Sequence, residues 1–528
     1  MRNFELPGRS EALGVKGMAA TTHPLATLAA IDVLREGGNA VDAAVVAGAM
    51  LAVIEPTQTG VGGDCFVLLK REGQPVIALN GSGAAPAAVS VGRLAEAGIT
   101  ALDPESAHTV TVPGAVRSWA RLVEDHGTFD FARLLAPAIG AAENGYLVTE
   151  RLSRDWGRQL PKLSRRTATA SVFLSGGGAP EPGYLHVQPT LARALKDVAA
   201  KGADVFYEGW IAESIVKTLQ ALGGFHTLDD FAAFRPRYET PISASYRGYE
   251  LWECPPNGSG VAVLAMASLL DRYHVANYAA VSVERYHLLA EIARIGYAER
   301  DAFVGDPDAG PSPVARMTAS ARADILTSRI SQNSRLVDVA PIAMPEHKDT
   351  VFLSVVDKDR TAVSFINSIF DDFGSGIVAP ECGVLLHNRG FGFALEPNHP
   401  NTLVGGRRPM HTILPAMLTR DGECVLSFGV TGGHFQPIGQ LQVLSNLLDY
   451  QMSVQDAIDQ PRIFARGDVL DFERTVPANV VERLRTLGHR PTPAPNPLGT
   501  AQAIWIDRQR GLLRGGADPR RDGIALGY

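Results

Sequence analysis

Residues 40–54, AVDAAVVAGAMLAVI, contain a single charged side chain and are apolar on nearly every side. A helix of that kind offers no face to water and is buried in a larger fold. It is too short to span a bilayer, and Glu55–Pro56 follows at once. The chain must therefore enclose this helix between further layers. With 528 residues, 45% of them apolar, it is long enough for two compact lobes or one large intertwined body.

The signals around that helix define its ends. Before it, residues 24–35 carry Leu25, Leu28, Ile31 and Leu34 at helical spacing; Gly37–Gly38 stops them and Asn39 is placed to cap the next helix. After it, TGVGGD (59–64) is a glycine loop, followed by strands expected over 65–70 and 75–79. Residues 115–305 read as mostly helical, with a clear amphipathic segment over 288–300 and Pro/Gly breaks at 176–183 and 255–260. The stretch 331–349 is polar and aperiodic and reads as an exposed loop. The pattern then changes abruptly. Residues 350–356 and 362–368 read as strands across a polar turn, with further strands over 383–386, 424–428 and 501–505 and helices over 437–450 and 480–487. This is an α+β pattern in which strands from both ends of the chain can enter one core.

Several function classes fall away. A net charge of −7 without a basic run argues against nucleic acid as a partner. The opening residues lack an apolar signal core and no stretch is membrane-length, so a cytoplasmic protein with no membrane partner is expected. The four cysteines form no CxxC pair and read as buried thiols. No GxSxG elbow, P-loop or HExxH pair is present, and the histidines form no ligand-spaced cluster. TGVGGD follows a helix rather than a strand, unlike a dinucleotide loop.

Two places carry chemistry by position. Thr350 stands where a polar loop meets a buried strand. Alone it is an ordinary strand residue. A chain cut before it would present Thr350 as a new N-terminus, whose α-amine, at about 7.7–8.0 unperturbed, can serve as general base to its own hydroxyl. The run Gly429-Val430-Thr431-Gly432-Gly433 lies between a strand and a helix. It reads either as a tight turn or as a pair of backbone N–H groups aimed at an oxyanion.

Seven motifs occur in the order known from the gamma-glutamyltransferase family, and the chain resembles that family over almost its whole length. They are GGNAVDAAVVAGAMLAVIEPTQTGVGGDCF (37–66), TVPGAV (111–116), DTVFLSVVDKD (349–359), FGSGI (373–377), RRPMHTILPA (407–416), GVTGG (429–433) and ADPRRDGIALGY (517–528). The resemblance implies an N-terminal-nucleophile hydrolase with a four-layer αββα sandwich and no metal or cofactor. It implies self-cleavage between Asp349 and Thr350 into a large subunit, 1–349, and a small subunit, 350–528, that stay entwined. A dimer of such heterodimers is compatible with it. Thr350 would be the nucleophile, Gly432 and Gly433 the oxyanion donors, and Ser368 the hydroxyl supporting the nucleophile.

The departures bear on the substrate. The family's arginine for the glutamyl α-carboxylate falls on Ser82, its acid for the α-amine on Gly392, its asparagine on Phe370, and its paired serines on His411 and Thr412. Losing both charged anchors removes hydrogen bonds worth about 1.5–3 kcal/mol each. Arg389, in HNRGFGF, is either a replacement clamp for a carboxylate or a structural arginine bonding loop carbonyls. The pattern resembles the family's divergent branch of acylases and the amidohydrolase acting on oxamate. The leading expectation is thus an amidohydrolase for a small carboxylate-bearing amide, with water as acceptor. A glutathione-type gamma-glutamyl hydrolase or transferase is the second reading, and an unprocessed binding protein the third.

Overall fold

The computed structural model describes residues 5, 8–337, 339 and 350–528. Two seven-stranded sheets, antiparallel throughout, stack face to face between helical layers. In the first sheet the strands run Ile524–Gly527, Met18–Thr21, Val351–Val356, Ala362–Ser368, Asp64–Lys70, Ile77–Gly81, Arg237–Glu239. Segments from before and after residue 350 are therefore interleaved in it. In the second the order is Ala12–Gly14, Leu512–Ala517, Ala501–Asp507, Glu423–Val430, Ala416–Arg420, Tyr249–Glu253, Ile242–Tyr246.

The period-2 alternation of strands assigns each face. In Val351–Val356, Phe352 and Val356 enter the core between the sheets, with Phe66, Leu68, Ile366, Met417 and Ile504. Val351, Leu353 and Val355 point the other way, into a core shared with the helix Ala40–Ile54. All fifteen residues of that helix are buried, and Asn39 caps it in a reciprocal capping box with Asp42. Its small residues have a packing cause: a Cβ on Gly48 would fall 2.8 Å from the Phe365 ring, so the helix lies hard against the sheet. Over the second sheet, the helices Gly260–Leu270, Val283–Phe303 and Gln436–Leu448 enclose a separate core with Phe428, Val430 and Ala503. The layers are α, β, β, α.

The helices Pro24–Arg35 and Ala40–Ile54 and the strand Ala362–Ser368 fall on the residues the sequence pattern predicts, and other expected elements shift at their ends. The strands Arg237–Glu239, Ile242–Tyr246 and Tyr249–Glu253 are departures inside the region read as mostly helical. Their aromatic and β-branched residues alternate with polar ones, a strand pattern masked by the long helical frame around it. Of the expected exposed loop, residues 331–334 are exposed, while 338 and 340–349, Asp349 among them, lie outside the described residues. All four cysteines are buried free thiols. No described helix is long and apolar enough to cross a membrane.

Candidate active site

Strand register builds the site. Val351 pairs with Asn367, so the next step places Thr350 beside Ser368, and their hydroxyl oxygens lie 3.0 Å apart. Ser368 pairs in turn with Asp64. Cys65 pairs with Gly81, so one further step sets Asp64 beside Ser82. Thr350, Ser368, Asp64 and Ser82 thus form a row across one end of four adjacent strands. Each has the same parity as an inter-sheet core residue on its own strand, Phe352, Ile366, Phe66 and Ala78 respectively. The row therefore faces the space between the sheets and, at about 4.8 Å per strand, is roughly 14 Å long.

The second sheet delivers the glycine pair to the same end. Ser354 Oγ donates to Ser427 Oγ at 2.7 Å, and a Cβ on Gly429 would strike the Phe352 ring. Two residues further along each strand, Thr350 comes opposite Thr431. From the neighbouring strand, Ser427 Oγ donates to the Val363 carbonyl (3.1 Å) and Ser364 Oγ to that of Phe428 (3.2 Å). Continued in step, that offset sets Ser368 opposite Gly432. Gly432 and Gly433 take φ of 111° and 55°, a left-handed conformation that side chains other than glycine adopt at a cost. A Cβ on Gly432 would also meet the Gly499 Cα at 3.0 Å. Thr431 is pinned by its N–H to the Thr500 carbonyl at 2.7 Å.

Beside this pair lies a fully buried charged cluster. Asp64 Oδ2 accepts hydrogen bonds from His411 Nε2 (2.9 Å), Arg389 Nε (3.1 Å) and His387 Nδ1 (3.1 Å). Arg389 Nη1 donates to Thr412 Oγ1 at 3.0 Å, and its guanidinium lies 4.4 Å over the Phe370 ring. The Phe370 N–H donates to Ser368 Oγ at 2.9 Å, which ties the cluster to the Thr350–Ser368 pair. Burial alone would raise the Asp64 carboxyl, but His387 and His411 outweigh it and hold it well below the usual carboxylate range. Burial, assisted by the Arg389 charge, pushes His411 down to about 3, so its ring is neutral at pH 7. Burial also lowers Arg389, against the opposing pull of Asp64. Two buried atoms, Asp64 Oδ1 and Arg389 Nη2, have no hydrogen-bond partner among the described residues.

Thr350, Ser368, Phe370, Arg389, His411 and Thr412 are thus brought together. Arg389 bonds a carboxylate and a hydroxyl, not the loop carbonyls of the structural alternative. Ser82 stands at the far end of the row, accepting from Asn257 Nδ2 at 3.1 Å. There it helps to line a cavity of about 580 Å³ with Val112, Phe234, Arg237 and Arg408. Gly392 supplies only its carbonyl, to Asn401. Sequence reasoning missed Asp64 and His387. Their signal was present: Asp64 is the one acid of the TGVGGD loop, and His387 opens HNRGFGF.

Away from this site, His287, Glu291 and His489 are the one described group whose ligand atoms lie close enough to hold a metal ion. Its lone pairs are engaged otherwise. Arg294 Nη1 faces His489 Nδ1 (3.3 Å), His489 Nε2 faces His287 Nδ1 (2.7 Å), and His287 Nε2 faces the Ser331 carbonyl (2.7 Å). Arg294 also binds Glu291 at 2.6 Å, so a divalent cation would be set against a buried guanidinium.

Residues 26–528 match the family model described as gamma-glutamyltranspeptidase. The chain is 37% identical over 526 residues to the glutathione hydrolase-like YwrD proenzyme of Bacillus subtilis, covering 98% of this chain and 99% of that protein. It is 34% identical over 536 residues to the oxamate amidohydrolase proenzyme of Klebsiella pneumoniae, covering 98% and 100%. Among solved structures, the cephalosporin acylase from Bacillus halodurans superposes with a TM-score of 0.93 at 34% identity, over 100% of this chain and 99% of that one. The αββα sandwich is that of the N-terminal-nucleophile hydrolases. With this fold and a match running from residue 26 to its last residue, the chain belongs to the gamma-glutamyltranspeptidase family, as one of its amidohydrolases.

Proposed function

We propose that the chain cleaves itself between Asp349 and Thr350 and then hydrolyses a small carboxylate-bearing amide, of the oxamate or acylase type, through an acyl-Thr350 ester. In processing, the Thr350 hydroxyl adds to the carbonyl of residue 349 and the acyl group shifts from nitrogen to oxygen. Water then hydrolyses that ester, leaving a carboxylate on the 1–349 subunit and an α-amine on the 350–528 subunit. In turnover this amine takes the hydroxyl proton as Oγ1 attacks the substrate amide carbon. The oxyanion forms against the N–H groups of Gly432 and Gly433, whose left-handed turn lies, by strand register, at the Thr350 end of the sheet. The C–N bond breaks and the amine leaves with the proton from the α-ammonium. Water adds to the acyl ester and gives up a proton to the α-amine; the acyl C–Oγ1 bond then breaks, Oγ1 takes that proton back, and the acid is released. Ser368, fixed by the Phe370 N–H, holds Oγ1 in line.

The observation that carries the carboxylate reading is Arg389 Nη2, buried, without a partner among the described residues, and coupled through Phe370 to Ser368. Such a donor suits a substrate carboxylate. The names of the oxamate amidohydrolase and cephalosporin acylase relatives support the same class. A gamma-glutamyl substrate is the second reading. Asp64 Oδ1, a buried acceptor in the same cluster, favours it, since it could receive an α-amine.

Denaturing mass spectrometry of the purified protein tests processing: two chains are expected, the smaller beginning at Thr350, and a chain still intact after long incubation would refute it. Comparing oxamate and a glutaryl amide with a gamma-glutamyl anilide then decides between the two substrate classes. Arg389→Ala is expected to raise KM for the carboxylate substrate while processing persists. An unchanged KM for every acid tested would remove Arg389 from the site.

A further inference from the structure

Phe370 is buried, yet its φ of 78° lies in the left-handed region, which a bulky side chain enters only at a cost. Strain of this kind persists where a function requires it. Two contacts here call separately for the conformation and for the side chain. The left-handed turn brings the Phe370 N–H back to Ser368 Oγ at 2.9 Å, and Ser368 Oγ lies 3.0 Å from Thr350 Oγ1. Glycine would serve that contact without strain. The ring, which glycine lacks, covers one face of the Arg389 guanidinium at 4.4 Å.

The same turn is stitched to the segment that carries Arg389. The Asn388 N–H donates to the Ile369 carbonyl (3.3 Å), the Asp371 N–H to Asn388 Oδ1 (3.2 Å), and Asn388 Nδ2 to Asp371 Oδ2 (2.6 Å). The Asp371 carboxylate, which with Asp64 favours the charged guanidinium, belongs to this stitching. With one face of Arg389 on the ring, Nε on Asp64 and Nη1 on Thr412, the guanidinium has no freedom to turn, and Nη2 is the edge without a hydrogen-bond partner among the described residues. Asp64, the anchor of Arg389, stands two strands from Thr350, about 10 Å away. A small diacyl chain bridges a gap of that size.

We propose that Phe370 is a specificity-determining residue that acts as a spacer. Its turn fixes the nucleophile's end of the site and its ring fixes the Arg389 end. The site then selects an acyl group by the distance between its reacting carbonyl and its distal carboxylate. The inference rests on the carboxylate reading above.

The test measures KM and kcat/KM for the oxalyl, malonyl, succinyl, glutaryl and adipyl p-nitroanilides on wild type, Phe370→Gly and Phe370→Tyr. Valeryl p-nitroanilide is the control without a carboxylate, and mass spectrometry of processing reports that each variant is folded. Wild type should show one sharp optimum, with kcat/KM falling about tenfold for each methylene added or removed. Phe370→Gly keeps the turn and its N–H and removes the ring. Its KM at the optimum should rise about tenfold, and its profile should flatten to about threefold or less per methylene. Phe370→Tyr retains the ring and should keep the wild-type optimum. A purely structural role would lower all five activities by a common factor and leave the shape of the profile intact. If wild type prefers diacyl compounds but its profile is flat, or if Phe370→Gly is as sharply selective as wild type, the spacer is overturned and the substrate class stands. If wild type prefers the valeryl compound to every diacyl one, the substrate class falls and this inference with it. Where Phe370→Gly is not processed, a crystal structure of wild type with glutarate decides. A carboxylate on Arg389 Nη2, with the guanidinium still seated on the Phe370 ring, supports the spacer, and any other arrangement overturns it.

Discussion

Replacing Thr350 by alanine is expected to yield a single uncut chain of 528 residues with no amidohydrolase activity. In the proposed mechanism the side chain makes two separate displacements, one on its own preceding carbonyl and one on the substrate. Its hydroxyl lies 3.0 Å from Ser368, and by strand register Thr350 comes opposite Thr431, the residue before the glycine pair. Turnover should fall on the order of 10⁶-fold, the scale seen when a hydrolase loses its nucleophile. The loss is compounded here, since without the cut no α-amine forms to act as base. The variant should still fold, because the substitution removes only one hydroxyl and one methyl group beside the sheet. Intact mass, circular dichroism and an amide-hydrolysis assay together check this. A Thr350→Ala protein that is both cut and active would sink the mechanism.

The second large effect is expected at Asp64. Arg389, His387 and His411 all donate to one of its oxygens, and all four side chains are fully buried. Asp64→Ala removes the carboxylate that Arg389 and both histidines bond and leaves the Arg389 guanidinium without its ion-pair partner. Breaking a buried pair from one side costs about 3–5 kcal/mol, so the thermal midpoint should drop by several degrees and substrate affinity should fall with it. The pH dependence has a definite sign. The carboxyl is held below its ordinary range in the folded state, so its contribution is present at neutral pH and is lost as pH falls below that range. Wild type should therefore lose stability on acidification faster than Asp64→Ala does. Differential scanning calorimetry at several pH values measures both effects. Equal midpoints for the two proteins at neutral pH would show that the cluster contributes nothing to stability.

The contrast between these two residues explains what the sequence could and could not reveal. Thr350 announces itself by position, at a boundary between an aperiodic stretch and a β-branched strand, and the partner strand Ala362–Ser368 is equally plain from its alternation. Ser368 is implied by the motif resemblance, and the observed register, Val351 opposite Asn367, sets it beside Thr350. The Gly432–Gly433 pair is legible for a similar reason, since a strand and a helix bracket it. Asp64 is different. Its three donors come from positions 387, 389 and 411, more than three hundred residues away, and no local pattern links an acid in a glycine loop to them. Motif comparison registered the anchors lost at Ser82 and Gly392. It could not register charges arriving from other strands. The hairpin from Ile242 to Glu253 was missed for a humbler reason, as a short strand pair inside a long helical frame.

The interleaving of segments in the first sheet has a consequence for the life of the molecule. Strand Met18–Thr21 is hydrogen-bonded on one side to Val351–Val356 and on the other to Ile524–Gly527, so a piece of the front half is threaded between two pieces of the back half. While the backbone is continuous, folding is a one-body search, and its rate is independent of how dilute the protein is. With the proposed cut before residue 350, the same architecture could be regained only by two polymers meeting and weaving together, with the entropy of association added to that of ordering. Under the proposed cleavage, maturation would trade away reversibility: an uncut chain refolds as one body, whereas a cut pair must keep its shape by not coming apart.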